Sequence, residues 1–132
     1  MILGSGNRKN PSHILIVDSS VGDRLATEHA LESSGYRSDS VSDCQEAIEA
    51  MSAFVYNLVL ISFDLPAEAC LDAYSKIRRT GLKVYRSKLP LIGLANNKST
   101  FNTYNIIKGD VECPLVKPSD IYELTSTIES YI

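Results

Sequence analysis

Short runs of mostly apolar residues recur along the chain and predict the strands of a buried sheet. Three of these runs are strong: residues 13–17 (HILIV), 58–61 (LVLI) and 89–95 (LPLIGLA). Such runs, in which apolar and polar positions do not alternate, are typical of strands buried on both faces of a parallel sheet. Two weaker segments, residues 36–42 and 115–116, predict the remaining strands and bring the sheet to five.

Apolar residues at helical spacing fill the intervals between these runs. The four clearer sets are Val21, Leu25, Ala26 and Leu31; Ala47, Ile48 and Met51; Leu71, Tyr74 and Ile77; and Ile121, Leu124, Ile128 and Tyr131. A weaker helix is predicted over residues 99–107. Asp43 is a candidate N-cap, and Gly35 and Gly81 are candidate stops. Strand followed by helix, five times over, predicts an α/β fold with a doubly wound five-stranded parallel sheet.

Length and composition narrow the class of protein. The 132 residues fit one domain, which we expect to span residues 12–132, with the polar residues 1–11 as a linker or cloning remnant. The net charge of −3 argues against direct binding of nucleic acid. No apolar run reaches the ~18 residues of a membrane span, so no membrane contact is expected. The three separated cysteines suggest reduced thiols and a cytoplasmic setting.

Polar residues follow the predicted strands at the edge of the sheet where ligands bind in this class of fold. In an open doubly wound sheet, that edge is formed by the carboxyl ends of the strands. The residues at those ends are Asp18-Ser19, Ser62-Phe63-Asp64, Asn96-Asn97 and Lys117-Pro118. They are the candidate functional residues of the chain.

Four segments at these strands resemble the receiver domains of two-component response regulators. They read HILIVDSS, NLVLISFDLP, LPLIGLANN and LVKP, and their order and spacing match over about residues 13–132. The LIGLANN segment is most similar to receivers attached to hybrid histidine kinases. The resemblance implies a flavodoxin-like fold with strand order 2-1-3-4-5. It also implies transfer of a phosphoryl group from a histidine to an aspartate, which depends on positioning and charge neutralisation around Mg²⁺.

The chain departs from the receiver pattern at most positions that this chemistry needs. The resemblance places Asp18 on one acidic position and Lys117 on the lysine position, where both match. It places Ser19 on the second acidic position, Ser62 on the nucleophile and Ala95 on the hydroxyl position, where none matches. We therefore predict a pseudo-receiver that has lost phosphorylation and Mg²⁺ binding and is not an enzyme. It would be a phosphorylation-independent interaction module, whose partner is a kinase core or an output domain and whose expected parent is a hybrid sensor histidine kinase.

Other interpretations of the candidate residues stay open. Asp64, two residues beyond Ser62, or Ser62 itself could be an atypical phosphoacceptor, although a hydroxyl without an adjacent base is a weak nucleophile. A small flavodoxin-like enzyme is less favoured, because no Gly-rich phosphate loop follows the first strand. Asp18 and Lys117 could form a structural ion pair. We expect such a pair to be open to water, so that Asp18→Ala changes stability only modestly.

Three further positions bear on how the domain would signal. Pro114 falls where many receivers carry an aromatic residue that moves with the hydroxyl, in a segment that is one residue longer than usual. A proline removes a ladder donor, which an edge strand tolerates. Tyr104 and Tyr122 are interface candidates, because tyrosine is enriched at protein interfaces. The alternative for both is that the ring only packs on the edge of the core.

Overall fold

The computed structural model describes residues 12–62, 67–86, 88–95, 112–116 and 121–132, and strands alternate with helices along most of this chain. The strands are β1 (His13–Val17), β2 (Arg37–Val41), β3 (Leu58–Ser62), β4 (Leu91–Ala95) and β5 (Glu112–Val116); the helices are α1 (Val21–Ser33), α2 (Cys44–Ala53), α3 (Ala67–Tyr85) and α4 (Ile121–Tyr131). All four strand pairs are parallel, in the order β2-β1-β3-β4-β5. The predicted α/β flavodoxin-like fold is confirmed, whereas the predictions for residues 1–11 and 99–107 fall outside the described residues.

The central strands β1 and β3 are buried on both faces, as their apolar runs predicted. Side chains of successive strand residues point to opposite faces, so each central strand supplies both halves of the core. The half on the side of α2 and α3 contains Leu15, Val17, Ala47, Met51, Tyr56, Val59, Ile61, Tyr74, Ile77, Leu89 and Leu91. The half on the side of α1 and α4 contains Ile14, Ile16, Leu31, Leu58, Leu60, Ile92, Leu94, Leu124 and Ile128.

Helix α1 uses a different face from the one that its apolar spacing predicted. Leu31 is fully buried, but Val21 and Leu25 are 59% and 51% exposed. Polar contacts hold the helix against the sheet instead, because Arg24 Nη1 donates to the Asp18 carbonyl at 2.9 Å and Glu28 accepts from the Ser40 hydroxyl. The exposed Val21 and Leu25 are therefore left at the surface beside the end of β1.

Helix α2 begins where the sequence predicted. The Asp43 carboxylate accepts a hydrogen bond from the Glu46 backbone N–H at 2.8 Å and so caps the helix. In return, Glu46 accepts from the Ser42 backbone N–H and hydroxyl, both at 2.7 Å. These bonds, the backbone one above all, lower the pKa of Glu46 below its ordinary value.

Helix α3 continues past Gly81, where the sequence predicted its end. A Cβ at Gly81 would lie 3.3 Å from the Leu89 Cβ and 3.7 Å from the Met51 Cε, so glycine permits close packing here. The last residue of the helix, Tyr85, reaches the end of α2, where its hydroxyl donates to the Phe54 carbonyl at 2.6 Å. The glycine is thus a packing position inside the helix, a use that local sequence rules do not distinguish from a stop.

Strand β5 contains Pro114 at an edge of the sheet and at a shift of register. Ile92 pairs with Glu112 and Leu94 pairs with Leu115, so two residues, Cys113 and Pro114, face the single residue between them on β4. This is the arrangement of a β-bulge, one of the few places in a sheet that accept a proline. The edge position predicted for this strand is confirmed.

Arg86 follows α3 with a φ of 58°, in the left-handed region that disfavours side chains other than glycine. We expect Arg86→Gly to raise the free energy of unfolding by about 0.5–1 kcal/mol, since relief of this strain exceeds the entropy that glycine adds to the unfolded chain. The matched control is Arg79→Gly inside α3, which should cost about 1 kcal/mol. Urea unfolding would measure both, and equal losses for the two variants would contradict the prediction.

Candidate functional site

The carboxyl ends of β1 and β3 bring two of the predicted site residues together. Val17 pairs with Ile61, so Asp18 and Ser62 are the next residues of two neighbouring strands. Neighbouring strands lie about 4.8 Å apart. Ser62 in turn pairs with Leu94, directly before Ala95 at the end of β4. The neighbouring positions of β1 and β3 agree with the strand order that the resemblance implied.

Asp18 is buried, with only 1% of its surface exposed. Its Oδ1 accepts a hydrogen bond from the Ser20 backbone N–H at 3.0 Å, which makes a tight turn from β1 into α1. Its own N–H donates to the Val41 carbonyl at 3.0 Å, and its carbonyl accepts from Arg24. The expectation that Asp18 is open to water is therefore wrong.

Ser62 is also buried, at 7% exposure, whereas Ser19 is exposed. The Ser62 backbone carbonyl accepts a hydrogen bond from the Tyr74 hydroxyl at 3.3 Å, which ties the end of β3 to α3. Side chains alternate between the two faces of a sheet along each strand. By this alternation, Asp18 and Ser62 lie on the same face as the core residues that pack against α1 and α4.

The described strand ends offer few of the oxygen donors that Mg²⁺ prefers. Mg²⁺ prefers octahedral oxygen ligands, with carboxylates among them, and gives up its water reluctantly. Asp18 is the one carboxylate that the described strand ends supply, and one of its oxygens already accepts from Ser20. Within residues 12–62 and the other described ranges, no group of three His, Cys, Asp or Glu side chains could hold a metal.

Several predicted residues cannot be placed. Asp64, Tyr104 and Lys117 lie outside the described residues, as does the side chain of Ala95, so the proposed ion pair and the alternative acceptor stay predictions. Tyr122 lies on α4 with 79% of its surface exposed, so its ring does not pack on the edge of the core.

Three contacts at the site were missed by the sequence reasoning. Ser20 caps α1, since its hydroxyl accepts from the Asp23 backbone N–H at 3.3 Å. The residues S-V-G-D at 20–23 follow the spacing of a capping box, so this cap could have been found. The Arg24 contact with the Asp18 carbonyl and the Tyr74 contact with the Ser62 carbonyl depend on tertiary geometry and leave no local signal.

The family model for the response regulator receiver domain matches residues 14–129. Among curated proteins, none matches the chain. No helix in the described part of the chain is long and apolar enough to cross a membrane.

Solved structures share the fold at low sequence identity. A CheY-like response regulator receiver domain from Methylobacillus flagellatus is 22% identical with a TM-score of 0.76, covering 93% of this chain and 100% of that one. The receiver domain of the sensor histidine kinase PA1611 from Pseudomonas aeruginosa PAO1, solved with a magnesium ion in its active-site cleft, is 21% identical with a TM-score of 0.72, covering 92% and 97%. The Saccharomyces cerevisiae Ssk1 receiver domain, solved with the phosphotransfer protein Ypd1, is 16% identical with a TM-score of 0.74, covering 92% and 89%.

Proposed function

The chain belongs to the response regulator receiver domain family of two-component signalling, and we propose that it is a pseudo-receiver whose phosphorylation chemistry has been lost. It would act as a phosphorylation-independent regulatory module that binds other signalling proteins in the cytoplasm. The parent protein that we favour is a hybrid sensor histidine kinase, in line with the likeness of LIGLANN to receivers of that class.

Ser62 is the observation that carries this proposal. It closes β3 beside Asp18, at the strand end where a receiver needs its nucleophilic carboxylate. A serine hydroxyl is a much weaker nucleophile than a carboxylate and needs an adjacent base to be activated. Phosphoryl transfer in this family depends on charge neutralisation by Mg²⁺, which the poor donor set also disfavours.

Exposed apolar side chains support a role in protein binding. Val21 and Leu25 lie one turn apart on α1, beside the Asp18 turn, and Tyr122 is exposed on α4. Apolar side chains that a monomer leaves in water are available for burial against a partner. The Ssk1 receiver was solved with a phosphotransfer protein, and by analogy we propose a signalling protein of the same pathway class as the partner.

The alternative function is a phosphoacceptor that uses Asp64 or Ser62. It is retained because Asp64 is only two residues beyond Ser62 along the chain. The two acceptors differ in chemistry, since an aspartyl phosphate is cleaved by hydroxylamine and a serine phosphate is not. A phosphorylation reaction followed by hydroxylamine treatment therefore distinguishes phosphorylation at Asp64, phosphorylation at Ser62 and no phosphorylation.

Incubation with acetyl phosphate and Mg²⁺ is expected to leave the intact mass of the protein unchanged, because Ser62 stands where a receiver carries its acceptor carboxylate. Phosphorylation would instead add about 80 Da. The control is a receiver with a complete acidic site, treated in the same way. An adduct lost in hydroxylamine and in Asp64→Asn would establish Asp64 as acceptor, and a stable adduct absent from Ser62→Ala would establish Ser62. Either adduct would overturn the proposal.

A further inference from the structure

Strand β2 forms an edge of the sheet, and a groove of about 610 Å³ opens along it. The groove is lined by Arg37, Ser38 and Asp39 of β2, by residues near α1 and α2 (Glu32, Tyr36, Ala50 and Phe54), and by His13 and Tyr56 near the starts of β1 and β3. Consecutive strand residues point their side chains to opposite faces, so three in a row can line one groove only if it opens along the strand edge. Residues from the end of α1 and from α2 flank the β2 edge within this groove.

At alternate residues of β2, the backbone N–H and C=O groups point away from β1. The Arg37 N–H donates to the Ser12 carbonyl and the Val41 carbonyl accepts from the Asp18 N–H, so residues 37, 39 and 41 turn their peptide groups toward β1. By the alternation of a parallel ladder, Ser38 and Ser40 turn theirs away from β1. Within the described residues β2 pairs with β1 alone, so its outer edge is open to a further strand.

The charges on β2 specify what that strand can be. Arg37 and Asp39 lie two residues apart on the same face, with Ser38 between them. An antiparallel copy of β2 centred on Ser38 sets Arg37 of each copy opposite Asp39 of the other, which gives two cross-strand ion pairs. A pairing centred on Asp39 sets two carboxylates opposite each other, and a pairing centred on Ser40 sets Asp39 opposite Val41. Within β2, both registers therefore lack the two ion pairs of the register centred on Ser38.

The backbone agrees with the register that the charges select. In an antiparallel pair, residues whose peptide groups face the partner exchange hydrogen bonds, and the residues between them approach to a Cα separation of about 4.5 Å. With Ser38 at the centre, the outward-facing Ser38 residues form the hydrogen-bonded pair. Arg37 and Asp39 then occupy the close pair, where opposite charges interact best.

Asp39 is held in place for this contact. Its Oδ2 accepts from the Tyr56 hydroxyl at 2.7 Å and lies 2.9 Å from His13 Nε2, and no described group contacts Oδ1. The carboxylate is 45% exposed, so Oδ1 is accessible to a guanidinium from outside, while Arg37 is exposed on the same strand. Ordering a side chain costs entropy on binding, and a carboxylate that is already fixed lowers that cost.

We propose that two copies of this chain associate through antiparallel β2 strands centred on Ser38, which would join two five-stranded sheets into one of ten strands. Because two-fold symmetry brings the same surface of both copies together, the contact is self-complementary and the assembly ends at the dimer. The proposal does not depend on the proposed function, because it concerns the sheet edge and not the strand ends that hold Asp18 and Ser62. A short strand buries little area, so a dissociation constant on the order of 10–1,000 µM is expected.

Sedimentation of three proteins, alone and mixed, tests this register. The native chain should approach the dimer mass as its concentration is raised to about 1 mM. Arg37→Glu sets Glu opposite Asp39, and Asp39→Lys sets Lys opposite Arg37, so each variant alone should associate at least about tenfold more weakly. Their mixture sets Glu opposite Lys and Arg opposite Asp, so it should recover the native affinity.

Recovery in the mixture is the decisive result, because a merely structural role of Arg37 or Asp39 would not produce it. The control is Arg79→Glu on exposed α3, which makes the same charge change away from β2 and should leave association unchanged. A native chain that stays monomeric at 1 mM, or a mixture that associates no better than its components, overturns the proposal. An added peptide that binds a monomeric native chain at this edge would also overturn it and indicate a different occupant.

Cysteine cross-linking gives a second test that does not alter Asp39. Two Ser38 residues in a hydrogen-bonded pair would have a Cα separation of about 5.5 Å, within the range of a disulfide. Ser38→Cys should therefore form a disulfide-linked dimer on mild oxidation. Ser40→Cys, which does not face its own copy, should remain at the background level of the native cysteines. Equal cross-linking of both variants would overturn the register.

Discussion

Replacing Asp18 by alanine is expected to lower the free energy of unfolding by about 2 kcal/mol. The carboxylate is buried at 1% exposure, and its Oδ1 accepts the Ser20 N–H in the turn that leads into α1. Removal of one partner from a partly buried hydrogen bond costs about 1–3 kcal/mol, because water replaces the lost bond only in part. Urea unfolding at neutral pH would measure the loss.

Two further variants separate the hydrogen bond from the charge. Asp18→Asn keeps an acceptor oxygen for Ser20, so it should cost less than half of the alanine loss. Ser19→Ala changes the neighbouring exposed residue and should cost no more than about 0.5 kcal/mol. A negligible loss in Asp18→Ala would instead support the solvated strand end that the sequence suggested. A large loss in Asp18→Asn would show that the negative charge is what matters.

Stability is expected to fall steeply as the pH rises above 10. Burial raises the pKa of Tyr56, and its hydrogen bond to Asp39 raises it further. Burial also raises the pKa of Tyr85. A phenol whose pKa is raised in the folded state stabilises that state fully below its unfolded pKa of about 10, and this contribution is lost as the pH rises toward the folded pKa. Each tyrosine can add a slope of up to about 1.4 kcal/mol per pH unit, reduced by water around the half-exposed Asp39.

The contribution of Tyr56 can be tested against that of an exposed tyrosine. Tyr56→Phe should cost about 1–2 kcal/mol at neutral pH, because Asp39 loses a hydrogen-bond donor, and should flatten the fall above pH 10. Tyr122→Phe, at a position that is 79% exposed, should leave both stability and slope unchanged. Urea midpoints between pH 8 and about 11 would give the slopes. An unchanged slope in Tyr56→Phe would contradict the assignment of the alkaline loss to Tyr56.

The sequence by itself determined the features that rest on local pattern. The runs at residues 13–17 and 58–61 predicted strands buried on both faces, because only a sheet covered on both sides can bury every residue of such a run. Asp43 predicted the start of α2, because a cap needs only a side chain and the N–H three residues on. The placement of Asp18 and Ser62 at one edge of the sheet followed from the parallel strands, whereas the adjacency of β1 and β3 was implied by the family resemblance.

The tertiary structure alone decided which side chains water reaches and which distant groups meet. Spacing on α1 could not reveal that Arg24 and Glu28 face the sheet, since the Asp18 carbonyl and the Ser40 hydroxyl belong to other elements. Gly81 has the local signature of a helix stop, yet the approach of Leu89 makes it a packing position inside α3. The burial of Asp18 and the edge position of β2 among the described strands likewise depend on how separate elements pack, and helical or strand periodicity carries no information about such contacts.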